Sequence, residues 1–269
     1  MNQRIDPSPL LEPVISVAIE AGGKIMEIYA TDFDVQHKED STPLTEADLV
    51  AHQVIVAGLA ALTPNIPVLS EESEASPYKE RIKWGQYWLV DPLDGTREFV
   101  KRNDEFSVNI ALIQDHESVL GVIYAPVQEV CYYACRNKGA FKRSGNRISV
   151  PIHTNTTREE RSIVVVGSRS RNGEQQRRFL EKLGQHTFMQ LGSSLKSCII
   201  AEGKADVYPR FGPTSEWDTA AAQCIVEEAG GRITNMQLEP LRYNTKKSLI
   251  NPYFLVFGDP RKNWAEILA

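Results

Sequence analysis

The sequence is poor in cysteine and has no long apolar run, and each shortage narrows what the protein can be. Its four cysteines (Cys131, Cys135, Cys198 and Cys224) form no CxxC pair and follow no spacing of a secreted disulfide scaffold, which points to a reducing compartment. Cys131 and Cys135 sit in an apolar segment and read as sheet-packing residues rather than a redox pair. No stretch of about 18 uncharged apolar residues occurs, so no segment is expected to span a membrane. Arg4, Asp6, Glu12 and Glu20 interrupt the first residues and leave no signal-peptide hydrophobic region, so a cytoplasmic protein is expected. Thirty basic against 35 acidic residues leave a net charge of −5. That argues against a general grip on duplex nucleic acid, though not against a small anion in a local basic pocket. Trp84, Trp88, Trp217 and Trp264 are too scattered for a base-stacking platform.

Repeats, low-complexity tracts and Gly/Ser linkers are absent as well. With 269 residues, 42% apolar and 24% charged, the chain has ordinary globular composition and fits one large domain or two closely joined halves. A chain of this length buries about 70–75% of its unfolded surface and needs no staple. Helical spacing of Leu10, Leu11, Val14, Val17, Ala18, Ala21, Ile25 and Ile28 predicts an amphipathic first helix. A second runs from about Glu46 to Leu62, closed by Thr63-Pro64. Short apolar runs follow at 68–70, 87–91, 106–113, 119–124 and 130–134, with a hairpin turn at 114–118, and predict a largely antiparallel sheet. Beyond Ser144-Gly145-Asn146 the pattern mixes strands at 163–166 and 206–208 with helices at 174–183, 194–201 and 218–229. We therefore expect an α/β protein of stacked layers in two parts, residues 1–150 and 151–269, with the boundary at 146–160 resting on composition alone.

The most informative segment is Trp88-Leu-Val-Asp91-Pro-Leu-Asp94-Gly-Thr-Arg-Glu-Phe99. An apolar strand ends in Asp91, Pro92 lacks a donor and is expected to stop the ladder, and Asp94-Gly95 makes a tight turn, so that two carboxylates can converge. Upstream, Val68-Leu-Ser70 delivers Glu71 and Glu72 at another strand end; downstream, Glu216-Trp217-Asp218 opens a helix with a small-residue first turn. Carboxylates gathered without His or Cys form a hard-cation site of the kind Mg²⁺ takes. None of His37, His52, His116, His153 and His186 lies near these motifs in sequence, and HExxH is absent, which argues against zinc. Clustered carboxylates repel one another unless they hold cations, so two or more metals are the natural count, about 3.5–4 Å apart if they act together on a phosphate. Singly, each signal has a plainer reading: Asp94-Gly95 as a turn, Asp218 as a helix N-cap, Glu71-Glu72 as a solvated loop. Their conjunction is what marks a site.

These residues closely resemble the Mg²⁺-dependent, Li⁺-sensitive inositol monophosphatase superfamily, whose signature is a Glu-Glu pair, then Asp-Pro-x-Asp-Gly-Thr, then a distant Trp-Asp before a small-residue helix. The haloacid dehalogenase-type phosphatases also carry an Asp-Gly-Thr loop, but their carboxylates stand at i and i+2, not at i and i+3 with a proline between. Ser70-Glu-Glu72, Gly192-Ser-Ser-Leu-Lys196, Tyr208-Pro-Arg210, Trp217-Asp-Thr-Ala-Ala221 and Pro43-Leu-Thr-Glu-Ala-Asp48 extend the likeness over nearly the whole chain. The segments ending in Lys196 and Arg210 tilt it toward the bacterial 3′(2′),5′-bisphosphate nucleotidase branch. Arg97, where that branch more often has Lys, is a departure that keeps the charge.

The resemblance implies a layered α-β-α-β-α sandwich, with the active site between an N-terminal half carrying the metal motif and a C-terminal half carrying the nucleotide pocket and the last metal ligand. It implies Glu71, Asp91, the Leu93 carbonyl, Asp94 and Asp218 as ligands of roughly two or three Mg²⁺ ions. The reaction implied is removal of the 3′-phosphate of adenosine 3′,5′-bisphosphate, and of 3′-phosphoadenylyl sulfate, by a metal-activated water. Glu71 and Thr96 would orient that water; Asp48, which also reads as the third helical residue of a capping box opened by Thr45, would support the network. Leu93, Asp94, Gly95, Thr96 and Asp218 would border the reacting phosphate, with the Gly95 and Thr96 amides facing its oxygens. Lys196 and Arg210 would take the second phosphate, and Gly192, Ser193 and Ser194 would offer amides and hydroxyls to an anion or an adenine edge. As bare residues Lys196 and Arg210 read equally as solvated surface charges. Two rivals stay open: an inositol or sugar-phosphate monophosphatase on the same metal site, and a nucleotide-binding regulator without turnover. Some members of the branch attach peripherally to the inner face of the bacterial membrane; no amphipathic basic helix here demands it.

Overall fold

Apolar spacing in the first two helices builds the outer wall of the fold. A computed structural model of the chain describes residues 4–37, 43–74, 76–156, 162–168 and 173–269. In it Leu11–Tyr29 and Glu46–Leu62 are α-helices packed on each other. Their buried faces, with Ile15, Ala18, Ile25, Ile55 and Leu59, close one hydrophobic core against a sheet. That sheet has seven strands in chain order: Val68–Ser70, Gln86–Asp94, Ser107–Gln114, Glu117–Ala125, Val130–Cys135, Ala140–Ser144 and Val150–Ile152. The first pair is parallel and the rest form an antiparallel meander. Trp88, Val90, Val108, Ile110 and Leu112 face the two helices, whereas Tyr87, Leu89, Ala111 and Ile113 face the opposite core. Both faces are covered, which is why these strands read as continuous apolar runs rather than as alternation.

The opposite core is filled by the helices Leu195–Ala201 and Trp217–Glu228, which lie between this sheet and a second one. The second sheet has the order His186–Gln190, Ile163–Gly167, Val207–Arg210, Phe254–Phe257, Arg232–Asn235, parallel over its first three strands and antiparallel thereafter. Its outer face packs Val165, Val207 and Leu255 against Phe179 of the helix Glu174–Leu183 and Trp264 of the helix Trp264–Leu268. The layers run α-β-α-β-α, as the resemblance implies.

Several local expectations are corrected. Pro92 does not end its strand: pairing is interrupted between Asp91 and Asp94 and resumes at Asp94 opposite Ser107, because a missing donor costs one rung rather than the ladder. The hairpin turn narrows to Asp115 and His116, whose φ of +46° and +68° suit a two-residue connection. Asp218 is not an N-cap; Glu216 is, and Asp218 lies inside the helix with its carboxylate accepting from the Ser215 amide at 3.0 Å. Phe254–Phe257 was legible as an apolar run but not anticipated, and His186–Gln190 is a largely exposed edge strand with no apolar alternation to reveal it. The strand Val150–Ile152 begins at residue 150, and residues 157–160 of the expected boundary lie outside the described residues.

One close approach places the helix that bears Asp218. Gly121 pairs with Ala111 and Ala134, and a Cβ there would overlap the backbone carbonyl of Ala221; beside it the Ser118 hydroxyl donates to the Ala220 carbonyl at 2.7 Å. Gly121→Ala is expected to lower stability by about 1–3 kcal/mol in urea unfolding, as overpacked cores do. Gly23→Ala, on an exposed helical position with nothing within 4 Å of the added carbon, is expected to stabilise by up to about 1 kcal/mol.

Candidate active site

Two strand ends and a helix start meet at one place. Glu71 follows the strand Val68–Ser70, its amide donating to the Val90 carbonyl at 3.1 Å, so it lies beside the end of the strand that carries Asp91. Asp218 enters from the first turn of the central helix. One carboxylate oxygen from each of Glu71, Asp91 and Asp218 lies within 4.8 Å of the others. Asp91 is only 2% exposed. Loss of water, then the charges of Glu71, Asp94 and Asp218, hold its carboxyl well above the usual 3.8. Asp218 is likewise pushed well up, by burial first and then by Asp94 and Glu71.

Asp94 stands alongside this trio but is engaged differently. Its Oδ2 accepts the Ser194 amide and the Ser194 hydroxyl, each at 2.5 Å, and the Asn109 Nδ2 at 3.4 Å. The turn that follows needs glycine: Gly95 has φ +95°, and an added Cβ would sit 3.0 Å from the Glu105 carbonyl oxygen. The helix Thr96–Val100 begins directly after it. The Thr96 hydroxyl lies within donating distance of both Asp48 Oδ1 (3.1 Å) and the Leu93 carbonyl (3.2 Å). Asp48 Oδ2 accepts from the amide and the hydroxyl of Thr45, both at 2.7 Å. The capping role and the position beside Thr96 therefore hold together in one side chain.

Glu71, Asp91, Asp94, Thr96 and Asp218 line a cavity of about 490 Å³ that also takes in Leu93, Gly95, Glu98, Lys196, Tyr208 and Arg210. Lys196 is not a solvated charge: it is 6% exposed, donates to the Ser193 carbonyl at 2.5 Å and lies 5.4 Å from the Tyr208 ring centre. Arg210 is half-buried, with its guanidinium held by Thr214 Oγ1 at 2.6 Å and the Pro213 carbonyl at 3.1 Å. Gly192, Ser193 and Ser194 border the cavity too, but the Gly192 amide donates to Glu105 at 2.8 Å and that of Ser194 to Asp94.

Sequence reasoning missed Asn109, Glu98 and His52. Asn109 had a signal, an amide in mid-strand flanked by apolar and small residues, and it is 1% exposed. Glu98 lines the cavity, and burial followed by the charge of Asp94 raises its carboxyl. His52, remote from the motifs in sequence, has Nδ1 2.9 Å from the hydroxyl of Ser70, next to Glu71; burial lowers its pKa.

The trio's donor set is oxygen only and its charges repel in a partly desolvated place, a chemistry that fits a hard divalent cation. An acidic cluster of this kind, on a five-layer α/β sandwich, defines a class. A family model described as the inositol monophosphatase family matches residues 6–268, and the chain belongs to that family. Within it, the chain is 47% identical over 249 residues to the 3′(2′),5′-bisphosphate nucleotidase CysQ of Salmonella typhimurium, covering 92% of this chain and 99% of that one. CysQ of Escherichia coli O157:H7 is 46% identical with the same coverage. The crystal structure of CysQ from Bacteroides thetaiotaomicron matches with a TM-score of 0.80 at 40% identity, covering 93% of this chain and 97% of that one. No helix among the described residues is long and apolar enough to cross a membrane.

The raised carboxyls set a pH dependence. A folded pKa above the unfolded value of 3.8 means that the folded chain binds the proton more tightly. Its contribution to stability is full below that value and lost as pH rises through the folded pKa. With divalent cations chelated, Asp91→Asn is therefore expected to gain stability over wild type as pH rises from about 4 to about 7. Added Mg²⁺ should reverse the order. Parallel curves for the two proteins at all pH values would contradict this.

Proposed function

We propose that the chain is a Mg²⁺-dependent phosphomonoesterase that removes the 3′-phosphate of adenosine 3′,5′-bisphosphate to give AMP and phosphate, and acts on 3′-phosphoadenylyl sulfate in the same way. The observation that carries this reading is a single cavity lined both by the carboxylate cluster and by the cations Lys196 and Arg210. The names and coverage of the CysQ relatives support it. In this reading the two parts of the chain divide the labour near residue 150, the first supplying most carboxylates and the second Asp218 and the basic side chains.

Glu71, Asp91, Asp94, Asp218 and the Leu93 carbonyl would hold the ions. Bound Mg²⁺ supplies positive charge that offsets the phosphate dianion and makes a water easier to deprotonate. With its proton donated to Asp48, the Thr96 oxygen is left to accept a hydrogen bond from the attacking water. Asp48, fixed in turn by Thr45, keeps Thr96 in that orientation, and the Glu71 carboxylate receives the water proton. The Gly95 and Thr96 amides serve the oxygens of the phosphate under attack. Lys196 has three ammonium donors, of which one is spent on Ser193, so two serve the second phosphate together with the Arg210 fork. With the amides of Gly192 and Ser194 engaged by carboxylates, Ser193 is the substrate contact this loop retains.

The test is phosphate release from adenosine 3′,5′-bisphosphate, 3′-phosphoadenylyl sulfate and inositol monophosphate with Mg²⁺ titrated. The bisphosphate is expected to be turned over most efficiently. Lys196→Ala should lower its kcat/KM by roughly 10- to 100-fold, the worth of a hydrogen bond to a charged group, and inositol monophosphate turnover by a few-fold at most. Equal losses would transfer the site to a simple monophosphatase; tight nucleotide binding without phosphate release would make the protein a sensor.

A further inference from the structure

The amide of Asn109 is a buried polar group that the proposed chemistry leaves unused. It sits 1% exposed in the strand Ser107–Gln114, among residues that otherwise pack two apolar cores. A buried amide is costly unless its donors and acceptor are satisfied, and here both find partners. The hydroxyl of Ser107, itself 0% exposed, donates to Oδ1 at 3.1 Å, and the opposite edge, which faces the accepting carboxylate of Asp94, is Nδ2. Nδ2 donates to Ser194 Oγ at 2.8 Å and reaches Asp94 Oδ2 at 3.4 Å.

Ser194 is the hub. Its amide and hydroxyl lie 2.5 Å from Asp94 Oδ2, and the same hydroxyl is 2.8 Å from the backbone carbonyl of Asp218. A hydroxyl has one proton to give, so an incoming hydrogen bond from Asn109 fixes its lone pairs and directs that proton toward the acidic side. One oxygen of Asp94 thus gathers every hydrogen bond recorded on that carboxylate among the described residues, and Oδ1 takes none. The same knot ties the end of the strand Gln86–Asp94 to the first turn of the helix Trp217–Glu228.

We propose that Asn109 is a positioning residue for cation binding: through Ser194 it saturates Asp94 Oδ2, commits Oδ1 to the cation, and holds Asp94 and Asp218 at a fixed separation. The inference rests on the reading of the carboxylates as a Mg²⁺ site. It assigns Ser194 to the carboxylates rather than to substrate. Asparagine is required because aspartate would set a third acceptor against Asp94 and Ser194, while leucine of similar size would leave Ser194 without its donor.

The experiment is calorimetric titration of Mg²⁺ into the metal-free full chain, without substrate. Asn109→Leu is expected to weaken Mg²⁺ binding about tenfold or more, as losses behind metal ligands do. Asn109→Ser, too short to reach Asp94, should give the same loss and covers the case in which the leucine variant does not fold. Ser107→Ala leaves Nδ2 in place and should change affinity by about threefold or less. Phosphate release by Asn109→Ser should recover when Mg²⁺ is raised by the same factor, which a merely structural lesion would not do. Unchanged Mg²⁺ affinity in the folded Asn109 variants overturns the inference alone. A wild-type chain that binds no Mg²⁺ overturns the underlying reading and this inference with it.

Discussion

The structure is organised around the repulsion among carboxylates brought together in a poorly hydrated place. Glu71, Asp91 and Asp218 bring oxygens to within 4.8 Å of one another, an arrangement that their ionised forms resist unless a cation or a proton offsets the charge. The scaffold has to hold it open. It does so with stiff parts: two adjacent strand ends supply Glu71 and Asp91, and a central helix clamped between two sheets supplies Asp218. The absence of a side chain at Gly121 lets that helix settle onto the sheet at backbone distance. A binding constellation on strands and helices keeps its geometry better than one on loops.

Behind the acids lies a second tier of buried polar contacts. Glu216, fully buried at the start of the central helix, accepts the Asn244 amide at 2.6 Å and pairs with Lys246 at 3.2 Å. Arg81, 3% exposed, donates to the side chain of Asn244 and to the carbonyls of Lys246 and Lys247. These bonds pin the approach to Asp218 from the outside, as Ser194 and Asn109 pin it from the inside. Removing one member of such a network leaves a buried charge or amide without a partner, which costs more than the bond itself contributes.

The cavity carries both signs of charge, the feature by which the proposed reading separates a bisphosphate from a simple phosphate ester. Its carboxylates are suited to cations, while Lys196 is held on the Ser193 carbonyl and beside the Tyr208 ring with donors to spare. A buried ammonium supported in this way is not a solubilising charge, and the proposed reading gives it to the second phosphate.

Much of this was legible in the sequence. The acidic motifs, the capping box of Thr45 and Asp48, the two amphipathic first helices and the central meander follow from local pattern, because each depends on neighbours a few residues apart. What was illegible depends on distant partners. Whether Pro92 ends a strand depends on Ser107 across the ladder; whether Ser194 meets substrate or Asp94 depends on a chain separation of 100 residues. The edge strand His186–Gln190 carries no apolar period because nearly all of its positions are exposed and neither face is buried in a core. The sequence by itself determined which oxygen and nitrogen atoms are available, in what order, and that hard-cation chemistry suits them. Tertiary structure alone decided which of them meet, which amides are already taken, and that Lys196 is buried rather than solvated, since burial and long-range hydrogen bonding are properties of the packed chain and not of any segment of it.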